Sequence, residues 1–207
     1  MRWFGKLVWT VAALVGLAAL AIGASMLLAG VGTRTPPGAL ETAVARTARH
    51  TLIPSAARRR TNPSTATPEI IREGMEHWAD HCATCHGNDG AGQTSIGQGL
   101  YPKPPDMRQA ATQSLSDGEL FYIIEEGVKI TGMPAWGTGT PEGEAASWHL
   151  VQFIRQLPSL TEDDLARMEE LNPRGRADWL AFEEERKFLS GTLDVPAGAP
   201  SAPGHQH

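Results

Sequence analysis

Cysteine occurs only twice in this chain of 207 residues, at Cys82 and Cys85, and His86 follows at once. Two cysteines cannot build a disulfide scaffold, so the fold must rest on something else. A thioredoxin-like redox pair would need a βαβ pattern around it, and the surrounding sequence has none. A zinc site would need a second cysteine pair, which is also absent. The run Cys82-Ala83-Thr84-Cys85-His86 instead has the spacing of a c-type haem attachment site. At that separation, at a helix end turning into a loop, two thiols reach adjacent vinyl groups and form two thioethers. The next residue is then an imidazole placed to coordinate the iron.

The flanking sequence supports that placement. Thr67 is an N-cap candidate, Pro68 suits the first helical position and Glu69 the first turn. Ile70, Ile71, Gly74, Trp78 and Cys82 recur at helical spacing. Gly87, Gly90 and Gly92 then break the helix in a loop able to pass close to a porphyrin. His86 is expected to donate its second ring N–H to a carbonyl, with Pro102, Pro104 and Pro105 as candidates. For the other axial position the candidates are Met133, Met107, His77, His81 and His149. The two histidines in the helix that carries the cysteines cannot easily reach the opposite haem face. Met133 lies on a loop in Gly132-Met133-Pro134-Ala135-Trp136, with the reach and a neighbouring proline that restricts the backbone. It is the expected ligand, with Met107 and an open site as the alternatives. Trp136 is expected near the haem edge or in plain core packing. Lys103 and Arg108 are candidates to offset propionate charge.

Further helices are legible downstream. Ser116 and Glu119 form a capping box before Leu120, Ile123 and Ile124, with Gly127 as a C-cap. Thr140-Pro141-Glu142 opens another helix, in which Trp148, Val151, Ile154 and Leu157 recur every three or four residues. Thr161-Glu162-Asp163-Asp164 opens a third that ends near Asn172-Pro173. Trp179, Phe182, Arg186 and Leu189 suggest one more, beside the acidic run Glu183-Glu184-Glu185; it reads as a helix packed on the body with a solvated face, or as a docking surface for a basic partner. The tail 192–207 is rich in Pro, Ala and Gly and ends His205-Gln206-His207. No core can form there, and two histidines do not complete a structural metal site.

The net charge of −5 conceals a partition. Residues 1–32 carry +2, 33–68 carry +5, 69–160 carry −7 and 161–207 carry −5. The acidic balance argues against a nucleic-acid partner. Leu7 to Gly32 contains no charge, and 26 helical residues exceed the ~30 Å of a hydrocarbon core. Trp3, Phe4 and Trp9 sit where an interfacial aromatic belt would lie. The competing reading is a signal cleaved near Ala19-Leu20-Ala21. It is disfavoured because the apolar run continues through Met26, Leu27 and Leu28. Arg2 and Lys6 before the span nearly balance Arg34, Arg46 and Arg49 after it, so charge alone does not set orientation. Residues 33–67 read as a flexible basic tether with polyproline character near Pro36-Pro37 and Pro63. Arg58-Arg59-Arg60 would lie in solvent or touch anionic headgroups.

From about Pro68 to Leu160 the chain resembles a class I cytochrome c domain, of the type in the haem subunits of haem–copper oxidases and in small membrane-anchored cytochromes. The resemblance is carried by His81-Cys82-Ala83-Thr84-Cys85-His86-Gly87, by Leu115-Ser116-Asp117-Gly118-Glu119-Leu120, by Gly132-Met133-Pro134-Ala135-Trp136 and by the closing helix around Trp148 to Leu157. It covers somewhat under half the chain. It implies an all-α fold wrapped on one covalent haem c with His/Met ligation.

The expected organisation is an anchor at 1–32, a linker at 33–67, a haem domain at 68–160, a helical extension at 161–191 and a tail at 192–207. The expected function is single-electron transfer between redox protein partners, as a carrier rather than an enzyme. The alternatives are a haem subunit of a larger respiratory oxidase or dehydrogenase, and a haem sensor. Haem attachment takes place outside the energy-transducing membrane, as the resemblance implies. The expected location is therefore the inner (cytoplasmic) membrane, single-pass, with the haem domain on the periplasmic side.

Overall fold

The computed structural model describes residues 2–29, 32–172, 180–181, 184–185 and 187–191. All regular elements among these residues are helical, as expected of the all-α class. The chain divides into two units, 1–35 and 36–207. The first is the single helix α1 (Arg2–Ala29). Its stretch Trp3–Ser25 is long and apolar enough to cross a membrane, and none of it is buried against protein. That agrees with an anchor by length and composition.

The second unit opens with α2 (Ala39–Leu52) and the single turn α3 (Ser55–Arg58). Next comes α4 (Pro68–His77), capped as anticipated by the Thr67 hydroxyl, which accepts from the Ile70 N–H. A π-helical turn over Trp78–Cys82 follows, closed by the Ala83 N–H on the Trp78 carbonyl. The expected helix through Cys82 therefore widens before it reaches the cysteines, and π turns of this kind recur at functional sites. The turn α5 (Ala83–His86) ends at Gly87. Two short helices, α6 (Ser95–Gly99) and α7 (Ala110–Gln113), lead into α8 (Asp117–Glu126) and α9 (Pro141–Gln156). A 3₁₀ turn over Leu157–Ser159 precedes α10 (Glu162–Leu171).

The core forms where α4, α8 and α9 meet. The face anticipated for α9 is fully inside: Trp148, Val151, Ile154 and Leu157 are all buried. Phe121 of α8 stacks on Trp148 with ring centroids 4.0 Å apart. Trp78 lies against Phe153 at 5.7 Å. Both ends of α8 are stopped as the sequence predicts. Ser116 and Glu119 cap each other's backbone N–H, and Gly127 adopts φ 67° after the last turn. On α10 the capping box of Thr161 and Asp164 is present, and Met168 is fully buried against the body.

The tether expectation for residues 33–67 is corrected by the structure. Helix α2 occupies 39–52, and Ile53 is buried. Arg49 donates to the Ala111 carbonyl (3.3 Å), and His50 pairs with Glu119 at 3.0 Å. Tyr101 donates to Glu41, so α2 is held near both ends. Beyond it, Ser116 donates to the Arg58 carbonyl (2.9 Å), Asn62 to the Trp148 carbonyl (2.9 Å) and Gln152 to the Ser64 carbonyl (2.6 Å). Arg60 pairs with Glu144 and places its guanidinium 4.3 Å from the Phe121 ring centre. The strap can approach this closely because Gly118 lacks a side chain: a Cβ there would lie 2.0 Å from the Ala57 carbonyl oxygen. Composition alone misled here because the contacts are polar and long-range, and leave no apolar period in the strap itself.

In the extension, residues 180–181, 184–185 and 187–189 are helical and exposed, including Glu184, Glu185 and Leu189. Trp179, Phe182, Glu183 and Arg186 lie outside the described residues. So does the tail 192–207 with His205 and His207.

Candidate functional site

Cys82 ends the π turn, and Cys85 and His86 occupy the single turn after it. Both cysteines are free thiols. Burial, and secondarily the neighbouring Cys85, pushes the Cys82 thiol up to about 12. Burial raises Cys85 as well. The imidazole of His86 is pushed down to about 4 by burial, so it is neutral near pH 7 with a lone pair available. Its ring centre is 5.7 Å from that of Trp78.

The backbone around His86 is tied from several sides. The Trp78 indole donates to the Gly87 carbonyl (3.0 Å), and the Gly92 N–H to the His86 carbonyl (2.7 Å). The Thr94 hydroxyl donates to the Cys85 carbonyl (3.2 Å). Gly87, Gly90 and Gly92 all take positive φ, as the glycine-rich break implies. Thr94 escaped the sequence reading. Its only local signal is an N-cap position before a short helix, where its oxygen accepts from the Gly97 N–H (2.9 Å).

The expected bond from His86 to a proline carbonyl is not formed: Nδ1 is buried and has no partner in this structure. A buried donor without a partner costs about 1–3 kcal/mol. An imidazole in that condition, one residue beyond a free thiol, fits a group that engages the ring. The two thiols and the neutral imidazole also match the donor set of a covalently held haem.

The two methionine candidates separate clearly. Met107 is buried in the hydrophobic core, with its N–H bonded to the Gly90 carbonyl (2.9 Å). Met133 is half-buried on the loop between α8 and α9. That loop is closed by the Val128 N–H on the Met133 carbonyl (3.0 Å), and by the Met133 N–H on the Thr131 hydroxyl (3.0 Å). Two contacts bring the loop beside the cysteine motif. The Trp136 ring meets His81 edge-on at 5.1 Å, next to Cys82. The Leu100 side chain lies against the Gly132 backbone, just after the α6 turn that packs on the Cys85 carbonyl. Ile130, in the same loop, is 99% exposed and sits at φ 61°. That backbone is strained for a β-branched residue.

The histidine candidates have other partners. His77 and His81 contact each other at 4.8 Å on the helix that carries the cysteines, and His149 pairs with Glu73 at 3.0 Å. Arg108 is committed as well. It donates to Asp106 (2.8 and 2.9 Å) and Asp89 (3.0 Å), and its hydrogen bond is the main cause that holds Asp106 down at about 2. The propionate role considered for Arg108 is therefore replaced by a loop-stapling one. Lys103 donates to Gln98 (3.0 Å). No group of three or more His, Cys, Asp or Glu side chains suited to a metal ion occurs among the described residues.

Residues 69–154 match the family model described as cytochrome c oxidase, cbb3-type, subunit III. A comparison with curated proteins gave no match.

Proposed function

We propose, from residues 69–154 being a cytochrome c domain of the cbb3-oxidase subunit III family, that the chain is a membrane-tethered carrier of single electrons. In this reading Cys82 and Cys85 would hold one haem through thioethers, and His86 and Met133 would coordinate its iron. When bound, the haem supplies the one-electron ferric/ferrous couple. The observation that carries the reading is the buried, neutral imidazole of His86 with its unpartnered nitrogen, directly after Cys85.

The chain's own residues have definable tasks. Trp78 and Thr94 fix the backbone that presents His86 and Cys85. The Val128–Met133 closure would steady the loop that carries Met133. The core packing of Met107, against the half-buried Met133, supports Met133 as the ligand. A thioether ligand favours a relatively high potential and leaves no open coordination position, which suits a carrier better than a sensor. The acidic haem domain steers toward basic partner surfaces, more weakly as salt rises.

Helix α1 serves as the anchor, with the N-terminus inside and the haem domain on the periplasmic side of the inner membrane. Protease added to spheroplasts is expected to release the haem domain; a protected domain would overturn this topology. The ligand set is tested by Met133→Ala, which should change the ferric spectrum while thioether attachment persists; an unchanged spectrum would sink the His/Met assignment.

The family description itself favours a second reading, a haem subunit of a larger oxidase. Gentle solubilisation and purification distinguish the two: a free carrier purifies alone, and a subunit brings the complex with it.

A further inference from the structure

Helix α2 offers a surface that electron transfer does not use. Leu40, Val44, Thr47 and Thr51 fall at positions i, i+4, i+7 and i+11, on one face of the helix, and all four are exposed. Leu40 is 80% and Val44 60% exposed. The two threonines present methyls rather than hydroxyls. Thr47 donates to the Ala43 carbonyl (2.9 Å) and Thr51 to the Thr47 carbonyl (2.8 Å), so neither O–H needs water. The polar side of the same helix is occupied by the body, through Arg49 on Ala111 and His50 on Glu119. The helix is thus pinned by its polar side and presents its apolar stripe outward.

We infer that this stripe lies on an anionic lipid surface, with α2 resting in the headgroup layer. Three observations choose lipid over another occupant. Nine residues separate Ala29 from Ala39, and such a length spans at most about 35 Å, so α2 cannot stray far from a membrane that α1 crosses. The segment 33–68 carries +5 while residues 69–160 carry −7, so an anionic surface attracts the strap and repels the body. Arg46 on α2 and Arg59 after α3 are exposed. An apolar helix stripe on a segment of net positive charge suits a helix that lies in the interface plane. The inference rests on the reading of α1 as a membrane anchor, and it makes the strap a platform rather than a free tether.

The test uses the full-length holoprotein in nanodiscs of phosphatidylcholine with about 30% phosphatidylglycerol. A photoreactive phenylalanine analogue is placed at position 40, 44 or 51, and at 45 as the control, about 100° around the helix from 44. Lipid adducts at 40, 44 and 51, in about tenfold excess over position 45, are expected. No adducts, or adducts to protein alone, would overturn the inference in favour of solvent or a protein partner. Unsubstituted chain provides a second reading. Amide exchange over 39–52 should slow several-fold when the discs contain phosphatidylglycerol, and equal exchange in both lipids would overturn the proposal. A chain that elutes apart from the discs refutes the anchor reading and this one with it. Loss of the haem spectrum with lipid adducts intact would refute only the cytochrome reading.

Discussion

Gly74 is where α4 touches α9 backbone to backbone. A Cβ at this position would lie 2.3 Å from the His149 carbonyl oxygen, 2.9 Å from its carbon and 3.0 Å from the Phe153 Cβ. Two of the three obstacles are backbone atoms, which cannot rotate away. In Gly74→Ala the helices must therefore separate by about 1 Å, at the upper end of the ~1–3 kcal/mol that overpacking costs. Alanine recovers about 1 kcal/mol through helix propensity. The net expectation is a loss of about 2 kcal/mol, or about 30-fold in the unfolding constant. Gly99 provides the control, because nothing lies within 4 Å of a Cβ there. Gly99→Ala should be neutral or slightly stabilising. The assay is guanidinium unfolding of the detergent-solubilised protein, followed by tryptophan emission as the buried Trp78 and Trp148 become exposed. With a slope of about 4 kcal/mol/M, the Gly74→Ala midpoint should fall by about 0.5 M. A midpoint equal to that of Gly99→Ala would refute the argument that these two backbones are in contact.

Other substitutions probe the site and the strap. Met107→Leu should leave the ferric spectrum unchanged, and a spectral change there would identify Met107 as the ligand. Trp78→Phe removes the indole bond to the Gly87 carbonyl, which keeps the Gly90 N–H as a donor; a loss of about 0.5–1.5 kcal/mol is expected in the same unfolding assay. Ile130→Gly relieves a left-handed backbone worth about 1–2 kcal/mol, partly offset by unfolded-chain entropy, so the unfolding midpoint should rise or hold and not fall. For Glu119, burial pushes the carboxyl up, but the Ser116 hydrogen bonds and His50 outweigh it and hold the group below its ordinary 4.5. A carboxyl held low stabilises fully above that ordinary value and loses its contribution as pH falls through the folded value. Amide exchange across α2 should therefore accelerate as pH falls below the ordinary carboxyl value of 4.5, after correction for intrinsic exchange, and the effect should vanish in Glu119→Gln.

Much of the haem domain could be read from local pattern. Helix caps at Thr67, Ser116, Thr140 and Thr161 announce themselves because the capping oxygen and its N–H lie within three residues. The α9 face is legible because Trp148, Val151, Ile154 and Leu157 keep helical period over a length that only burial explains. The cysteine motif carries its own spacing and needs no tertiary context to be recognised. What stayed hidden depends on distant residues. The commitment of Arg108 to Asp89 and Asp106, and the absence of a proline partner for His86, follow from how the loop after Gly87 folds back.

The sequence by itself determined the Cys-x-x-Cys-His spacing, the membrane-length helix, the all-helical class and the positions of most caps, because each is encoded within a few turns of chain. Only the tertiary structure showed that Met107 is buried in the core and Met133 half-buried, since burial depends on what packs around a residue and not on its neighbours in sequence. It also converted the supposed tether into a bound strap. The bonds that hold it join residues 58 to 88 positions apart, such as His50 with Glu119 and Gln152 with Ser64, and no window of local sequence contains both partners.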